Sequence, residues 1–255
     1  MKEFAYKVID FFTFGRGLKK TFYGWPVRLP TRYIGYFPAN YEADNFNFLQ
    51  HYCKPDDIVL DIGAHIGLFA VVAAQLTGPC GKVFAFEPAP STNALLKKTI
   101  AINKLESVIE PHNEAMGSKN GKTIFFISEG EADNSNSLVS YKEDRMLEGI
   151  EVIILTIDGF VNEKQLSKVN FIKIDVEGAE YDAIRGGIDT FKHHRPYCIL
   201  AIHPEPIAVK GDKLEDIYDF LLHLNYKIIY DNKEISKDVF CANKEMIDLH
   251  LIPMG

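Results

Sequence analysis

The chain has 255 residues, 47% of them hydrophobic and 25% charged, enough to bury the core of one α/β domain plus a small appendage and too apolar for a disordered chain. Its net charge of −7 disfavours a nucleic-acid partner, which calls for clustered Lys and Arg. The four cysteines, Cys53, Cys80, Cys198 and Cys241, stand far apart with no C-x-x-C pair, so neither a zinc site nor a disulfide framework is signalled and buried free thiols are expected.

Residues 1–50 are rich in Phe and Tyr and read as an aromatic, helical extension ahead of a domain over residues 51–255. The start "MKEFAYKVIDFFTFGRG" carries Glu3 and Asp10 where a signal peptide would carry only positive charge. The longest apolar run, "GLFAVVAAQL", is about half the ~20 residues of a membrane span, so a cytoplasmic protein without a transmembrane segment is the expectation. In "FFTFGRGLKKTFYGWPVRLP", two Lys and two Arg stand among Phe, Tyr and Trp. Four roles suit such a segment: packing against the domain, a lid over an acceptor, a homo-oligomer contact, and peripheral contact with a membrane surface. Packing is favoured, because exposed aromatic patches are rare on monomers.

From Asp57 onward, short β-branched or aromatic runs alternate with helical stretches. "DIVLDIG" reads as a buried strand, "LFAVVAAQL" as a helix, "KVFAFEP" as a strand and "STNALLKKTIAIN" as a helix opened by Ser91. "SVIEPHN", "KTIFFIS", "EVIILTI" and "NFIKIDV" read as strands, "AEYDAIRGG" as a helix, "YCILAIH" as a strand, "KLEDIYDFLLHL" as a helix and "YKIIYD" as a strand. Such alternation implies right-handed crossovers and a mostly parallel sheet covered on both faces. Residues 117–150 break the rhythm: the polar loop "SEGEADNSNSLVSYKEDR" is long for a connector, as lids are.

In a doubly wound sheet, ligands bind beyond the carboxyl ends of the strands, which places the turn after "DIVLD" at a site with Asp61 on its rim. Gly63 and Gly67 leave that turn open to a close ligand. A dinucleotide turn needs G-x-G-x-x-G. Counted from Gly63, the middle glycine is replaced by His65 and the third by Leu68; counted from Ile62, the middle position is Ala64 and the first glycine is missing. An acid before such a turn suits a ligand with a positive amino group, a property of S-adenosylmethionine (SAM) and not of a dinucleotide. The second strand ends in Glu87, 26 residues after Asp61, where a carboxylate accepts bonds from two ribose hydroxyls. At the third strand end, "HNEAM" offers Asn113 and Glu114 near an adenine amino group, although such residues are common in solvated loops.

A second acidic cluster lies in "FIKIDVEGAEYDAIRGG". Asp175 ends the fourth parallel strand, and Glu177, two residues on, points the same way if the chain is still extended. Paired carboxylates of that kind bind a divalent cation, act as a base, or hold a substrate hydroxyl. Glu180, in the first turn of the next helix, reads most simply as part of a cap. "ILAIHPEP" puts His203 at the same rim, where an imidazole takes a proton or ligates a metal.

With these residues in place, the chain resembles the FkbM family of SAM-dependent methyltransferases over about residues 40–203. The matching pieces are "YEADN", "VLDIGAHIGLFA", "GKVFAFEPAPSTNALLKKTIAIN", "FIKIDVEGAEYDAIRGG" and "RPYCILAIHPE". The resemblance implies the Rossmann-like class I methyltransferase fold: an α/β sheet, seven-stranded and mostly parallel with the last strand antiparallel, here with a short aromatic segment in front. It also implies methyl transfer to a hydroxyl of a sugar, polysaccharide or secondary metabolite. Asp61, Gly63 and Gly67 match the cofactor turn, with Ala64 and His65 between its glycines. Glu87, followed by Pro88, matches the ribose acid, Glu42 an upstream acid, and Asp175 and Glu177 the acidic motif facing the acceptor. His65 departs from a common Asn, and Ala201 from a fifth-strand Glu, so no acid role is expected at that position, and the acceptor differs if that Glu governs acceptor choice.

Methyl transfer from a sulfonium is an in-line displacement, so positioning the acceptor oxygen supplies much of the rate and a base removes its proton. Asp175 or His203 is the expected base, with Glu177 orienting the acceptor, or joining both in holding a divalent metal. An amino methyltransferase of nucleic acids would want an Asn-Pro-Pro-aromatic run where "IDVEGAE" stands, and a nicotinamide oxidoreductase is contradicted by the failed pyrophosphate turn. The remaining alternative is a non-catalytic SAM-binding subunit of a larger assembly.

Overall fold

The computed structural model describes residues 2–38, 40–128 and 147–255. It begins with helix α1 (Lys2–Phe12), a hairpin of β1 (Leu18–Phe22) and β2 (Trp25–Leu29), and helix α2 (Ala43–Tyr52). Next come β3 (Ile58–Ile62), α3 (Leu68–Thr77), β4 (Lys82–Phe86), α4 (Pro90–Asn103) and β5 (Ile109–His112). The short β6 (Ala115–Met116) leads to β7 (Gly121–Ser128) and β8 (Leu147–Leu155), then α5 (Ile157–Glu163), β9 (Phe171–Ile174) and α6 (Glu180–Arg185). Then follow β10 (Tyr197–Ile202), α7 (Pro204–Lys210), α8 (Leu214–His223), β11 (Tyr226–Tyr230), β12 (Lys233–Glu234), α9 (Lys237–Cys241) and β13 (Ile247–Pro253).

The apolar runs assemble one sheet in the order β12-β11-β13-β10-β9-β3-β4-β5. Strands β5, β4, β3, β9 and β10 run parallel, and β13 inserts antiparallel between β10 and β11. Where seven strands are expected, the sheet has an eighth of two residues at its edge. Asp231 and Asn232 both take left-handed φ, 48° and 59°, as a two-residue hairpin turn requires, and fold β12 back on β11.

Strand alternation divides the core. Val59, Val83 and Ala85 face one side, while Leu60, Ile62, Phe84 and Phe86 face the other. The first side is covered by α3, α4 and the N-terminal segment: Phe22, Val27, Leu29, Tyr33, Phe37, Phe46 and Leu49 are buried in the same cluster as the strand residues. Helix α2 is held to the last strand by Asn45, whose Oδ1 lies 3.0 Å from His250 Nε2, and by Phe48, whose ring stacks on His250 at 4.2 Å. Residues 18–52 therefore pack on the sheet, whereas Phe11, Phe12 and Phe14, at the start of the aromatic stretch expected to pack, are exposed.

The strand-like runs at 121–128 and 147–155 do not join this sheet. They pair with each other and, with β6, form a separate three-stranded sheet. Its alternation is that of a one-faced sheet, with Phe125 and Val152 buried and Ile124 and Ile153 about half exposed. The loop "SEGEADNSNSLVSYKEDR" lies outside the described residues apart from Ser128. The four cysteines are free; Cys53 and Cys198 are buried as expected, but Cys80 is exposed, because it follows the end of α3 in the surface turn "GPCG". Among the described residues, no helix is long and apolar enough to cross a membrane.

Arg195 ties the far end of the sheet together. From a left-handed φ of 55° its guanidinium donates to the carbonyls of Leu224, Asn225 and Met254 at 2.7, 2.8 and 2.6 Å, and it lies over the Tyr226 ring. Arg195→Ala is expected to lower unfolding stability by about 2 kcal/mol in urea titrations, and Arg195→Lys to restore less than half, since an ammonium lacks the planar fork. A loss below about 0.5 kcal/mol would show that the three bonds are exchanged for water without consequence.

Candidate active site

The carboxyl ends of β3, β4, β9 and β10 open onto a cleft of about 1170 Å³, continuous with solvent. The turn after β3 forms its floor. Gly63 (φ 84°), His65 (φ 51°) and Gly67 (φ 90°) all take left-handed backbone, which bends the chain sharply before α3. A Cβ on Gly63 would stand 1.8 Å from the Asp175 carbonyl oxygen, so only glycine lets this turn lie against the end of β9. The N–H groups of Gly63 and Ala64 both donate to Phe86 O, at 3.0 and 2.9 Å, which locks the turn to the end of β4.

Glu87 clasps the two turns. Its Oε2 accepts from His65 N and its Oε1 from Ala89 N, both at 3.0 Å. Burial raises the carboxyl to about 7, even though the two N–H bonds favour the charged form. Each oxygen keeps lone-pair capacity beyond the N–H it already accepts. Ala64, His65 and Pro88 line the cleft beside it, and Phe86, Met116 and Phe125 make an apolar wall.

Asp61 is placed differently from expectation. Strand β3 runs on through Ile62, so Asp61 sits inside the strand and not at its end. It is fully buried and does not line the cleft. Burial raises it to about 7 against the pull of Lys173, its partner in strand register. Glu42 does line the cleft, from a left-handed φ of 47° at the start of α2, with Asn45 Nδ2 donating to its Oε2 at 3.2 Å. Asn113 is exposed and outside the lining; its amide donates to the carbonyls of Glu87 and Pro88, both at 2.9 Å, so it braces the strand end and leaves the cleft to Glu114.

The acidic motif after β9 is more connected than its spacing shows. Lys173, buried in the otherwise apolar "FIKI", donates to Asp175 Oδ2 at 2.8 Å. Burial pushes Asp175 upward, but Lys173 and then His203 outweigh it and hold the carboxyl below its ordinary range. The chain does not stay extended: Glu177 (φ 49°) and Gly178 (φ 101°) turn it. The two carboxylates still converge, because His203 Nε2 lies 3.8 Å from Asp175 Oδ1 and 3.8 Å from Glu177 Oε1.

Glu180 is the partner that the sequence did not single out for the site. It is fully buried, accepts from Gly178 N at 3.0 Å, and places Oε1 2.7 Å from His203 Nδ1. Burial alone would lower His203; the Glu180 bond and the Asp175 and Glu177 charges override it and raise the imidazole to about 9. His203 is therefore an imidazolium at neutral pH, pinned by a buried carboxylate. This disposes the three rim residues badly for a metal, since Lys173 already supplies the cation at Asp175 and His203 carries a proton where a ligand needs a lone pair. Among the described residues no group of His, Cys, Asp and Glu is arranged to hold a metal ion.

Phe37, Tyr41 and Phe46 of the N-terminal segment, with Met246 from before β13, complete the wall. These were not legible as site residues, because nothing local distinguishes them from core aromatics. Glu42, His65 and Glu177 share one feature: non-glycine residues in left-handed backbone, all on the cleft. Strained conformations of this kind gather at functional sites.

The family described as the methyltransferase FkbM domain matches residues 61–228, more than half of the chain. The 2-O-methyltransferase NoeI of Sinorhizobium fredii is 30% identical over 154 residues, which are 56% of this chain and 62% of that one. The hexuronic acid methyltransferase AglP of Haloferax volcanii is 28% identical over 164 residues, 64% of this chain and 62% of that one. The chain thus spans about three-fifths of the length of each of these two relatives. The crystal structure of a methyltransferase FkbM from Methylobacillus flagellatus KT superposes with a TM-score of 0.50 at 17% identity, covering 77% of this chain and 43% of that one. With the strand order above, this likeness identifies the Rossmann-like fold of class I methyltransferases.

Because folding raises His203 from its ordinary 6.5 to about 9, the stability it adds is fully present below pH 6.5 and is lost as pH climbs through about 9. Thermal unfolding across that window should fall more steeply for the wild type than for Glu180→Gln; equal slopes would show that Glu180 does not hold the proton on His203. Gly63→Ala, whose Cβ would collide with Asp175 O, should cost about 3 kcal/mol or more in chemical denaturation. A loss under about 1 kcal/mol would mean that the turn relaxes away from β9.

Proposed function

We propose that this chain, which belongs to the FkbM methyltransferase family, transfers a methyl group from SAM to a hydroxyl of a sugar, polysaccharide or secondary metabolite. The observation that carries this reading is one cleft with two chemistries: a glycine turn clasped by buried Glu87 at one end, and at the other an imidazole held among Asp175, Glu177 and Glu180. That one relative named above is a 2-O-methyltransferase supports an oxygen acceptor, and that another is a hexuronic acid methyltransferase supports a sugar.

The residues present fit SAM. Spare lone pairs on Glu87 suit the ribose hydroxyls, and the wall of Phe86, Met116 and Phe125 suits an adenine face. The carboxylates of Glu42 and Asp175 suit a ligand carrying positive charge. When bound, SAM supplies a methyl group already activated by its positive sulfur.

The chain's own residues then handle the acceptor. Asp175, kept ionised by Lys173, is a weak base and orients the hydroxyl by accepting its hydrogen bond. His203 Nε2 takes the hydroxyl proton, and Glu180 on Nδ1 fixes the ring and stabilises the imidazolium that results. Glu177, facing the same Nε2, aligns the acceptor from the other side. Since His203 must first lose a proton held to about pH 9, turnover should rise with pH toward that value.

Calorimetric titration with S-adenosylhomocysteine tests the first half: binding is expected for the wild type, at least about tenfold weaker for Glu87→Ala, and absent for NAD. His203→Gln and Asp175→Asn should lower kcat by about 10²-fold or more while S-adenosylhomocysteine affinity stays within about threefold. Unchanged kcat in both variants would remove these residues from the chemistry. Binding with no methyl transfer to any hydroxyl of a glycan or metabolite pool would favour a non-catalytic SAM-binding subunit.

A further inference from the structure

Helix α1 turns its apolar stripe away from the protein. Phe4, Val8, Phe11 and Phe12 lie on one helical face and are 75, 37, 77 and 73% exposed. Phe14 follows in a left-handed turn and is 86% exposed. The opposite face is anchored, since Thr31 Oγ1 donates to Asp10 Oδ1 at 2.5 Å. A surface helix ordinarily buries its apolar stripe, and this one is held with the stripe facing out.

Charge is distributed in the same direction. Residues 1–32 hold seven Lys or Arg against Glu3 and Asp10, a net +5, while the rest of the chain carries −12 in a total of −7. Lys19 and Arg28 are opposite one another in hairpin register, and Arg28 Nη1 donates to the Arg16 carbonyl at 3.5 Å, so two cations share the hairpin surface next to the Arg16 backbone.

We propose that α1 and the adjoining hairpin form a docking surface for an anionic lipid bilayer. The rings enter the boundary between headgroups and acyl chains, and Arg16, Lys19 and Arg28 meet the anionic headgroups. A second copy of the chain would cover the same rings, but a two-fold contact would set two segments of net +5 against each other. The hairpin is joined to the cleft, for Lys20 Nζ donates to the carbonyl of Phe37, a residue of the cleft wall. Lipid binding does not use the cleft residues, so it stands or falls separately from methyl transfer.

The test is flotation of the 255-residue chain with phosphatidylcholine vesicles, with and without phosphatidylglycerol. The protein should float with the anionic vesicles only, less so at raised salt. The Phe4→Ser/Phe11→Ser/Phe12→Ser variant should partition at least about tenfold more weakly, with unchanged thermal unfolding because these rings are exposed. Wild-type protein that stays soluble beside anionic vesicles at low salt would overturn the proposal, and so would a triple variant that floats equally well. A wild-type dimer by light scattering that the triple variant converts to monomer, with no flotation of either, would assign the face to a second copy.

Discussion

The ends of β4 and β9 and the start of α2 bring Glu42, Glu87, Asp175 and Glu177 around one cleft with Asp61 buried beneath it, and Lys173 makes that concentration of acidic groups tolerable. Its ammonium is buried in strand β9, bonded to Asp175 and attracted by Glu42 and Asp61. Burial lowers its affinity for a proton, and those three carboxylates raise it further than burial lowers it, so the charge persists. An acidic cluster out of water without such a partner would shed its charge by protonation. With it, Asp175 remains an anion, while burial raises Asp61, beneath the cleft, to about 7 against the pull of Lys173.

This arrangement splits the cleft electrostatically. At the glycine turn, burial raises Glu87 to about 7 while two backbone N–H groups hold its orientation, so the group is poised to accept hydroxyl bonds when solvent is displaced. At the other end, Glu180 and its acidic neighbours raise His203 to about 9. Both groups are raised, Glu87 by burial and His203 by its acidic neighbours, so the two ends of the cleft differ in the cause of the shift and not in its direction. The left-handed residues Glu42, His65 and Glu177 aim side chains and N–H groups at the cleft from three different elements.

The N-terminal segment has two opposite characters within about 40 residues. From Phe22 to Leu49 its aromatics fill the core on one face of the sheet and close the cleft through Phe37 and Tyr41. Ahead of that, α1 leaves its phenylalanines exposed beside a basic hairpin. Composition alone reads the whole stretch as one aromatic extension. The difference arises because packing against the sheet is possible only for the part of the chain that the hairpin folds back onto α3 and α4.

Several features were decided by the sequence alone. The alternation of apolar runs and helical stretches from Asp57 onward determines a parallel sheet, because strands covered on both faces must be apolar throughout. The spacing of Gly63 and Gly67, the acid ending β4 and the run "KIDVEGAE" mark the cleft, because each is a local requirement of backbone or charge. Contacts between segments distant in the chain were decided only by the tertiary structure. Asp61 lies beneath the cleft because β3 continues one residue past it. Glu180 grips His203 because the turn at Gly178 packs on Pro206, bringing residues 23 apart to 2.7 Å. The runs 121–128 and 147–155 leave the main sheet, since a residue's β propensity does not record which strand it will pair with. Pairing partners, burial depth and the charges that meet there depend on the folded chain as a whole, and they determine which of the legible residues reach the cleft.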